Sequence, residues 1–139
     1  MTQHGTQHRA ACQCGALSVT TASDPDFVVL CNCKACQRRT GAPFGVGAYF
    51  KSSDLTITGA VSTWSRSVDG RELTNHFCPS CGTNLYWTLE LRPDHTGVAV
   101  GSFDTPLPEP QRAIWAQEKL DWVTFPDHWP VYDTVSPPG

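Results

Sequence analysis

Apolar and polar residues alternate over many short stretches of the chain, with the period of two that is typical of half-buried β-strands. Leu17, Val19 and Thr21, for example, alternate with Ser18 and Thr20. Further strands are predicted at residues 27–30, 43–50, 55–59, 61–67, 72–77, 84–91 and 97–103. Because turns containing Gly and Pro join these short strands, the pattern predicts a mostly β domain.

The turns and the single predicted helix lie between these strands. Asp69-Gly70 is typical of a tight hairpin turn, and residues 93–97 are predicted to join the last two strands. Only residues 34–40 indicate a helical turn. The segment after residue 113 is too aromatic to be disordered, so Trp115 and Trp122 are predicted to pack in the core.

Length and charge narrow the class of protein. A chain of 139 residues predicts one domain, residues 1–139, with loose termini at 1–11 and 133–139. The net charge of −3, with scattered Lys and Arg, argues against a nucleic-acid partner or an anionic membrane. No stretch reaches the ~20 apolar residues of a membrane span, and the first residues lack the apolar core of a signal peptide. The predicted location is therefore the cytoplasm, where thiols stay reduced.

The cysteines are the strongest chemical signal in the sequence. All seven fall into three groups, Cys12-x-Cys14, Cys31-x-Cys33-x-x-Cys36 and Cys78-x-x-Cys81. An odd number leaves one thiol over in any disulfide scheme, and a reducing compartment disfavours disulfides. Zinc, in contrast, takes about four such ligands in a tetrahedron at about 2.3 Å. The grouping therefore predicts zinc ligation.

The seven cysteines can be divided into metal sites in two ways. Residues 78–82, CPSCG, have the form of a zinc knuckle, because the final Gly permits left-handed backbone. Pairing this knuckle with the first group, whose two side chains share one face in extended chain, gives a closed four-sulfur site and leaves an open three-sulfur site. A ribbon-like grouping would instead join Cys33 and Cys36 to Cys78 and Cys81. The stretch between these two pairs is longer than the ~15–20 residues that usually separate the pairs of a zinc ribbon. Spacing favours four plus three and leaves the ribbon-like grouping open.

Several segments resemble one known family. They are CQCGA at 12–16, CNCKACQRRTGAPF at 31–44, FCPSCGTNLYW at 77–87, GSFD at 101–104 and IW at 114–115. Together they are similar to the glutathione-dependent formaldehyde-activating enzyme family, which includes centromere protein V, over about residues 12–132. One position departs from the family pattern, since Ala113 stands where the family often has His.

This resemblance implies a fold, two metals and an activity. The fold would be a β-tent, built from several small antiparallel sheets with zinc-binding knuckles and little helix. Two Zn²⁺ ions per chain are implied, and the three-cysteine site is expected to lose its ion more easily. The activity implied is that of a zinc-dependent carbon–sulfur lyase that forms or cleaves S-(hydroxymethyl)glutathione. The resemblance assigns Cys12, Cys14, Cys78 and Cys81 to a structural zinc and Cys31, Cys33 and Cys36 to an open, catalytic zinc.

Two other functional classes fit the same residues. The open site could bind glutathione or a related small-molecule thiol without turnover, or both zincs could be structural in an interaction domain. Near the triplet, Lys34, Arg38 and Arg39 are candidates for contact with substrate carboxylates, although surface basic residues there are commoner. Asp104 is interpreted as a turn residue, and His76 as a neighbour of the knuckle that is not needed as a ligand.

Overall fold

The computed structural model describes residues 7–135, so residues 1–6 and 136–139 of the predicted loose termini lie outside the described residues. The described chain is mostly β, with several sheets and one short α-helix, as predicted. It forms two compact units, one from the described parts of Met1–Asp26 and Ala48–Leu107 and one from those of Phe27–Gly47 and Pro108–Gly139. The single domain stays a prediction.

The elements follow one another closely along the chain. The strands are β1 (His8–Ala11), β2 (Ser18–Thr21), β3 (Phe27–Cys31), β4 (Gly45–Lys51), β5 (Leu55–Thr58), β6 (Ser62–Val68), β7 (Arg71–Phe77), β8 (Asn84–Leu89), β9 (Arg92–Ala99) and β10 (Arg112–Ile114), and the helix is α1 (Lys34–Thr40). Among the described residues, no helix has the length and apolar character needed to cross a membrane.

The first unit contains two antiparallel arrangements. One is a three-stranded sheet in the order β1-β2-β5, and in the other β9, β8, β7 and β6 are successive neighbours. The side chains of Leu17, Val19, Leu85 and Val98 are fully buried and form the core of this unit.

Strand β1 lies in a segment that was predicted to be loose, and that prediction is wrong for residues 8–11. His8 and Ala10 are buried, and Arg9 between them is exposed. This polar segment therefore has the alternating burial of a β-strand. His8 Nε2 lies 2.8 Å from Asp24 Oδ1, which gives the buried imidazole a polar partner. Such a partner cannot be recognised from the terminal residues alone.

The two predicted hairpins differ in outcome. Asp69 and Gly70 have φ of 50° and 79° and close a two-residue turn between β6 and β7, as predicted. The turn predicted at 93–97 is wrong, because β9 already begins at Arg92 and runs through these residues. Gly97 serves close packing instead, since a Cβ there would clash with the indole of Trp87.

The second unit contains a parallel pair, which the expectation of purely antiparallel sheets did not include. Strand β10 runs beside β3, with Ala113 opposite Leu30 and Ile114 opposite Cys31. Ala113 is fully buried there. The predicted core position of Trp122 is wrong, because 71% of this residue is exposed.

Candidate metal centres

Four thiols come together in the first unit. The Sγ atoms of Cys12, Cys14, Cys78 and Cys81 all lie within 4.8 Å of one another. The Cys12–Cys14 and Cys14–Cys78 sulfur distances are both 3.7 Å, far longer than a disulfide bond. A tetrahedron with metal–sulfur bonds of about 2.3 Å has edges of about 3.8 Å. The four sulfurs are therefore spaced as the corners of a metal site.

The first two sulfurs are placed by a tight turn. The Gly15 N–H donates to the carbonyl of Cys12 at 3.0 Å, and the φ of Gly15 is 81°. The Leu17 N–H also donates to the Cys12 sulfur at 3.2 Å. The expectation of an extended Cys12–Cys14 segment is thus wrong, because residues 12–15 form a turn that the Gly15–Cys12 backbone hydrogen bond closes.

The other two sulfurs lie in the knuckle predicted at residues 78–82. The Gly82 N–H donates to the carbonyl of Cys78 at 2.8 Å, with a φ of 79° at Gly82. The Ser80 N–H points at the Cys78 sulfur, 3.4 Å away. Backbone N–H groups aimed at a sulfur stabilise its thiolate form, which is the form that binds a metal.

Thr83 links the two turns, a role that sequence reasoning missed. Its hydroxyl oxygen accepts from the Gln13 N–H at 3.1 Å and lies 3.3 Å from the Cys81 sulfur. Hydrogen bonds from the hydroxyl and the backbone N–H of Thr83 hold the pKa of Cys81 at about 5. Thr83 therefore favours the charged form of one sulfur while it fixes the neighbouring turn.

Three further thiols come together in the second unit. The Sγ atoms of Cys31, Cys33 and Cys36 lie within 4.8 Å of one another, and each residue is partly buried. Cys31 ends β3, Cys33 is the N-cap of α1, and the Cys36 N–H donates to the Cys33 sulfur at 3.4 Å. Over residues 7–135, no other Cys, His, Asp or Glu atom joins this group. The sulfurs are thus grouped as four and three, the division that spacing favours.

The chemistry of the three-thiol group fits a bound cation. The neighbouring thiols of Cys33 and Cys36, together with burial, raise the pKa of Cys31 well above its ordinary value. Three thiolates this close repel one another, and a metal ion removes that penalty because it binds the deprotonated sulfurs. Both cysteine clusters could therefore hold metal ions.

Two buried amides hold the segment that carries the three thiols. Asn32, fully buried, donates through its side chain to the carbonyl of Ile114 at 2.9 Å. Gln37 donates to the carbonyl of Asn32 at 2.8 Å and to that of Glu118 at 3.0 Å. The Glu118 carboxylate in turn accepts the backbone N–H of Lys34 at 2.8 Å. Sequence reasoning missed these residues because their partners are about eighty positions away; an Asn enclosed between ligand cysteines is the signal that could have pointed to them.

Basic residues lie next to this group on α1. A cavity of about 500 Å³ is lined by Lys34, Gln37, Arg38, Gly41, Ala42, Pro43 and Leu120. Arg39 lies elsewhere, since a Cβ on Gly45 would clash with its guanidinium and would lie 3.4 Å from Cβ of Cys36. Two of the three predicted cationic candidates thus share a cavity, and the third lies close to the thiols.

Other residues considered from the sequence do not join the clusters. Asp104 Oδ2 lies 3.3 Å from Arg9 Nη1 in an exposed ion pair. The His76 ring stacks on Tyr86 with centroids 4.4 Å apart, and its Nε2 lies 3.2 Å from the Thr88 hydroxyl. Neither belongs to a metal-ligand group among the described residues.

Comparison with known proteins gives a family. A crystal structure of a Rhodobacter sphaeroides protein is similar in fold, with a TM-score of 0.55 and 22% identity over 72% of this chain and 91% of that one. No curated protein sequence matches significantly. The family model for the glutathione-dependent formaldehyde-activating enzyme matches residues 7–118. These residues include all seven cysteines, and the chain belongs to the glutathione-dependent formaldehyde-activating enzyme family.

Proposed function

We propose that this protein is a zinc-dependent carbon–sulfur lyase that acts on the adduct of glutathione, or a related thiol, with formaldehyde. The difference between the two clusters carries this proposal. One contains four sulfur ligands, which complete the coordination of zinc, whereas the other contains three. Sites with three protein ligands leave a position for water or substrate. The reaction is therefore assigned to the group of Cys31, Cys33 and Cys36.

Zinc is the metal that these donors favour. Both clusters consist of thiols alone, and thiolates select zinc over hard cations such as Mg²⁺ or Ca²⁺. When bound at the three-thiol group, zinc supplies a positive charge that favours the deprotonated form of a nearby thiol. The chain's own contribution is to hold the three sulfurs in place, through the amides of Asn32 and Gln37.

The cavity on α1 supports an acidic thiol as substrate. Lys34 and Arg38 line it, and glutathione carries two carboxylates that such cations bind. Because Lys34 and Gln37 directly follow Cys33 and Cys36 in the chain, carboxylates anchored in this cavity would keep the substrate sulfur close to the three-thiol group and restrict its motion. The Lys34 ammonium already donates to the side-chain oxygen Oε1 of Gln37 at 3.1 Å, which keeps one cation at the wall of the cavity.

The proposed reaction balances without a further reactant. In the addition direction, the glutathione sulfur forms a bond to the carbon of formaldehyde, and the carbonyl π electrons move to the oxygen. The thiol proton ends on that oxygen and gives S-(hydroxymethyl)glutathione. In the lyase direction the carbon–sulfur bond breaks and its electron pair returns to the sulfur. The hydroxyl proton moves to the sulfur, and formaldehyde and glutathione are released.

Exchange spectroscopy tests the proposal. The rate of interconversion between glutathione with formaldehyde and their adduct is measured by NMR, with the zinc-loaded protein and with its Cys33→Ser variant. We expect the wild-type protein to accelerate exchange and the variant to leave the uncatalysed rate unchanged. Binding of glutathione without acceleration would overturn the lyase and favour a thiol-binding module.

A further inference from the structure

We propose that β6 is the contact strand of a symmetric dimer, in which it pairs antiparallel with β6 of a second copy. Strand β6 is seven residues long and ends its sheet, with β7 as its hydrogen-bonded neighbour on one side. Its register with β7 is continuous from Ser62 to Val68, without a bulge. It also contains no Pro and no Lys. Sheet edges that do not pair usually carry such interruptions.

The hairpin turn determines which backbone groups of β6 point outward. A two-residue turn at Asp69-Gly70 makes Val68 and Arg71 the closing pair, and a closing pair exchanges both of its hydrogen bonds. From this pair onward, residues along β6 alternate between forming and not forming backbone hydrogen bonds to β7. The backbone N–H and C=O groups of Trp64 and Arg66 therefore point toward β7. The outward N–H and C=O groups are therefore those of Thr63, Ser65 and Ser67.

These outward groups are complementary to a second copy of themselves. A two-fold axis through Ser65 places this residue opposite its own copy and Thr63 opposite Ser67 of the second copy. All three residues then meet outward-pointing partners, which gives about six interchain hydrogen bonds. The same axis is perpendicular to the sheet, so side chains stay on the same face in both copies.

The side chains on one face of β6 match the same symmetry. Trp64, 60% exposed, would lie directly opposite Arg66 of the second copy, and the two-fold axis repeats this pair. Such pairs without backbone hydrogen bonds bring side chains closest together, and a guanidinium over an indole is attractive. Arg66 is the single charge of the strand, so no like charges are opposed. The exposed Val68 would face Ser62 of the second copy.

Length distinguishes β6 from the other edge strands of the first unit. Strands β1 and β5, the two edges of the three-stranded sheet, span only four residues each. Very short edge strands offer few hydrogen bonds and are a common way to prevent pairing. Strand β6 is the longer edge of the first unit, and it matches itself.

Amide hydrogen exchange, measured by NMR on the zinc-loaded full chain at rising protein concentration, tests the proposal residue by residue. We expect the amides of Thr63, Ser65 and Ser67 to become protected as concentration rises. Those of Trp64 and Arg66 serve as internal controls, because their bonds to β7 protect them at every concentration. A dimer in sedimentation velocity without the alternating protection, or a monomer throughout, would overturn the proposal.

Substitutions provide a second, independent test by sedimentation. In a Trp64→Arg dimer, the new guanidinium would lie opposite Arg66 of the second copy, and the two-fold axis would repeat this repulsive pair. The dimer dissociation constant should therefore rise about tenfold or more. The double variant Trp64→Arg with Arg66→Trp exchanges the two partners and should restore association. Thr56→Arg on β5 is the matched control and should leave association unchanged. Loss of association in the control, or no change with Trp64→Arg in a variant of wild-type zinc content and circular dichroism, would contradict the proposal.

Discussion

At the scale of single residues, the four-sulfur cluster depends on Thr83, which is not itself a ligand. Its hydroxyl oxygen accepts the N–H of Gln13, and the same hydroxyl and its backbone N–H hold the pKa of Cys81 at about 5. One side chain thus links two turns that are far apart in sequence. The arrangement joins the geometry of the cluster to the charge of one sulfur.

We expect Thr83→Val to weaken the cluster without removing a ligand. The substitution keeps the volume of the side chain but removes its acceptor for the Gln13 N–H, at a cost of about 1 kcal/mol in unfolding free energy. Urea denaturation and a zinc-competition titration should both show the loss. Thr56→Val, at an exposed position on β5, is the matched control and should change stability by less than about 0.5 kcal/mol. Equal effects of the two substitutions would show that Thr83 has no special role.

Arg38 tests the proposed cavity for substrate carboxylates. Because an exposed guanidinium contributes modestly, Arg38→Gln should raise KM for glutathione about two- to fivefold and leave kcat nearly unchanged. Arg71→Gln, at an exposed position on β7, is the control and should change neither constant. An unchanged KM for Arg38→Gln would place the carboxylates elsewhere.

The residues of the two clusters could be predicted from the sequence, whereas the residues that support them could not. Cysteines two or three positions apart bring their sulfurs together locally, so spacing is informative. Asn32 and Gln37 act on carbonyl groups of Ile114 and Glu118, about eighty positions away. No local pattern encodes such contacts, because any polar side chain can reach a carbonyl once the fold has formed.

At the scale of elements, helix α1 carries two of the three thiols at its N-terminal end. Cys33 is its N-cap, and Gly41 ends the helix with left-handed backbone at a φ of 67°. The Gly41 N–H donates to the carbonyl of Gln37 at 2.8 Å, which satisfies one of the last carbonyls of the helix. A helix of seven residues has little stability of its own, so these ends matter.

Gly41→Ala should therefore destabilise the protein. A Cβ at this position meets nothing within 4 Å, so the cost is conformational and amounts to about 1–2 kcal/mol. Gly101→Ala is a matched control, because Gly101 also has open space but lacks left-handed backbone. Thermal unfolding of both variants should separate them. A smaller loss of stability for Gly41→Ala than for Gly101→Ala would contradict the role given to the turn.

Elements with a strong local signal were predicted well, and those with a weak one were not. The bounds of α1 agree with residues 34–40, and Asp69-Gly70 closes the predicted hairpin. The start of β9 was predicted too late in the sequence, because Pro93 and Gly97 are typical of turns. In the structure, Gly97 instead makes room for the indole of Trp87. Strand β1 was missed because its burial depends on pairing with β2.

At the scale of the whole molecule, each compact unit contains one cysteine cluster. The four-sulfur cluster draws on two segments of the first unit, and the three-thiol group lies within one segment of the second. Loss of a ligand should therefore have different consequences in the two units. A cluster that joins distant segments stabilises the fold, whereas a local cluster constrains little chain.

We expect Cys33→Ser and Cys81→Ser to differ in their effect on folding. Cys33→Ser should lose about one zinc per chain and retain the wild-type circular dichroism spectrum. Cys81→Ser should prevent folding, because structural zinc contributes on the order of 10 kcal/mol to the folded state. Metal analysis with circular dichroism checks both outcomes. Equal collapse of the two variants would contradict the separate roles given to the two clusters.

The division into one local and one distant cluster also sets an order of events during synthesis. The three thiols between Cys31 and Cys36 leave the ribosome together and can bind an ion at once. Cys12 and Cys14 emerge earlier but must wait for Cys78, which follows Cys14 by 64 residues. At about 5–20 residues per second, this interval lasts roughly 3–13 s. Until Cys78 emerges, the four-sulfur cluster lacks two of its ligands, so we expect a metal ion to bind the three-thiol group of the nascent chain first.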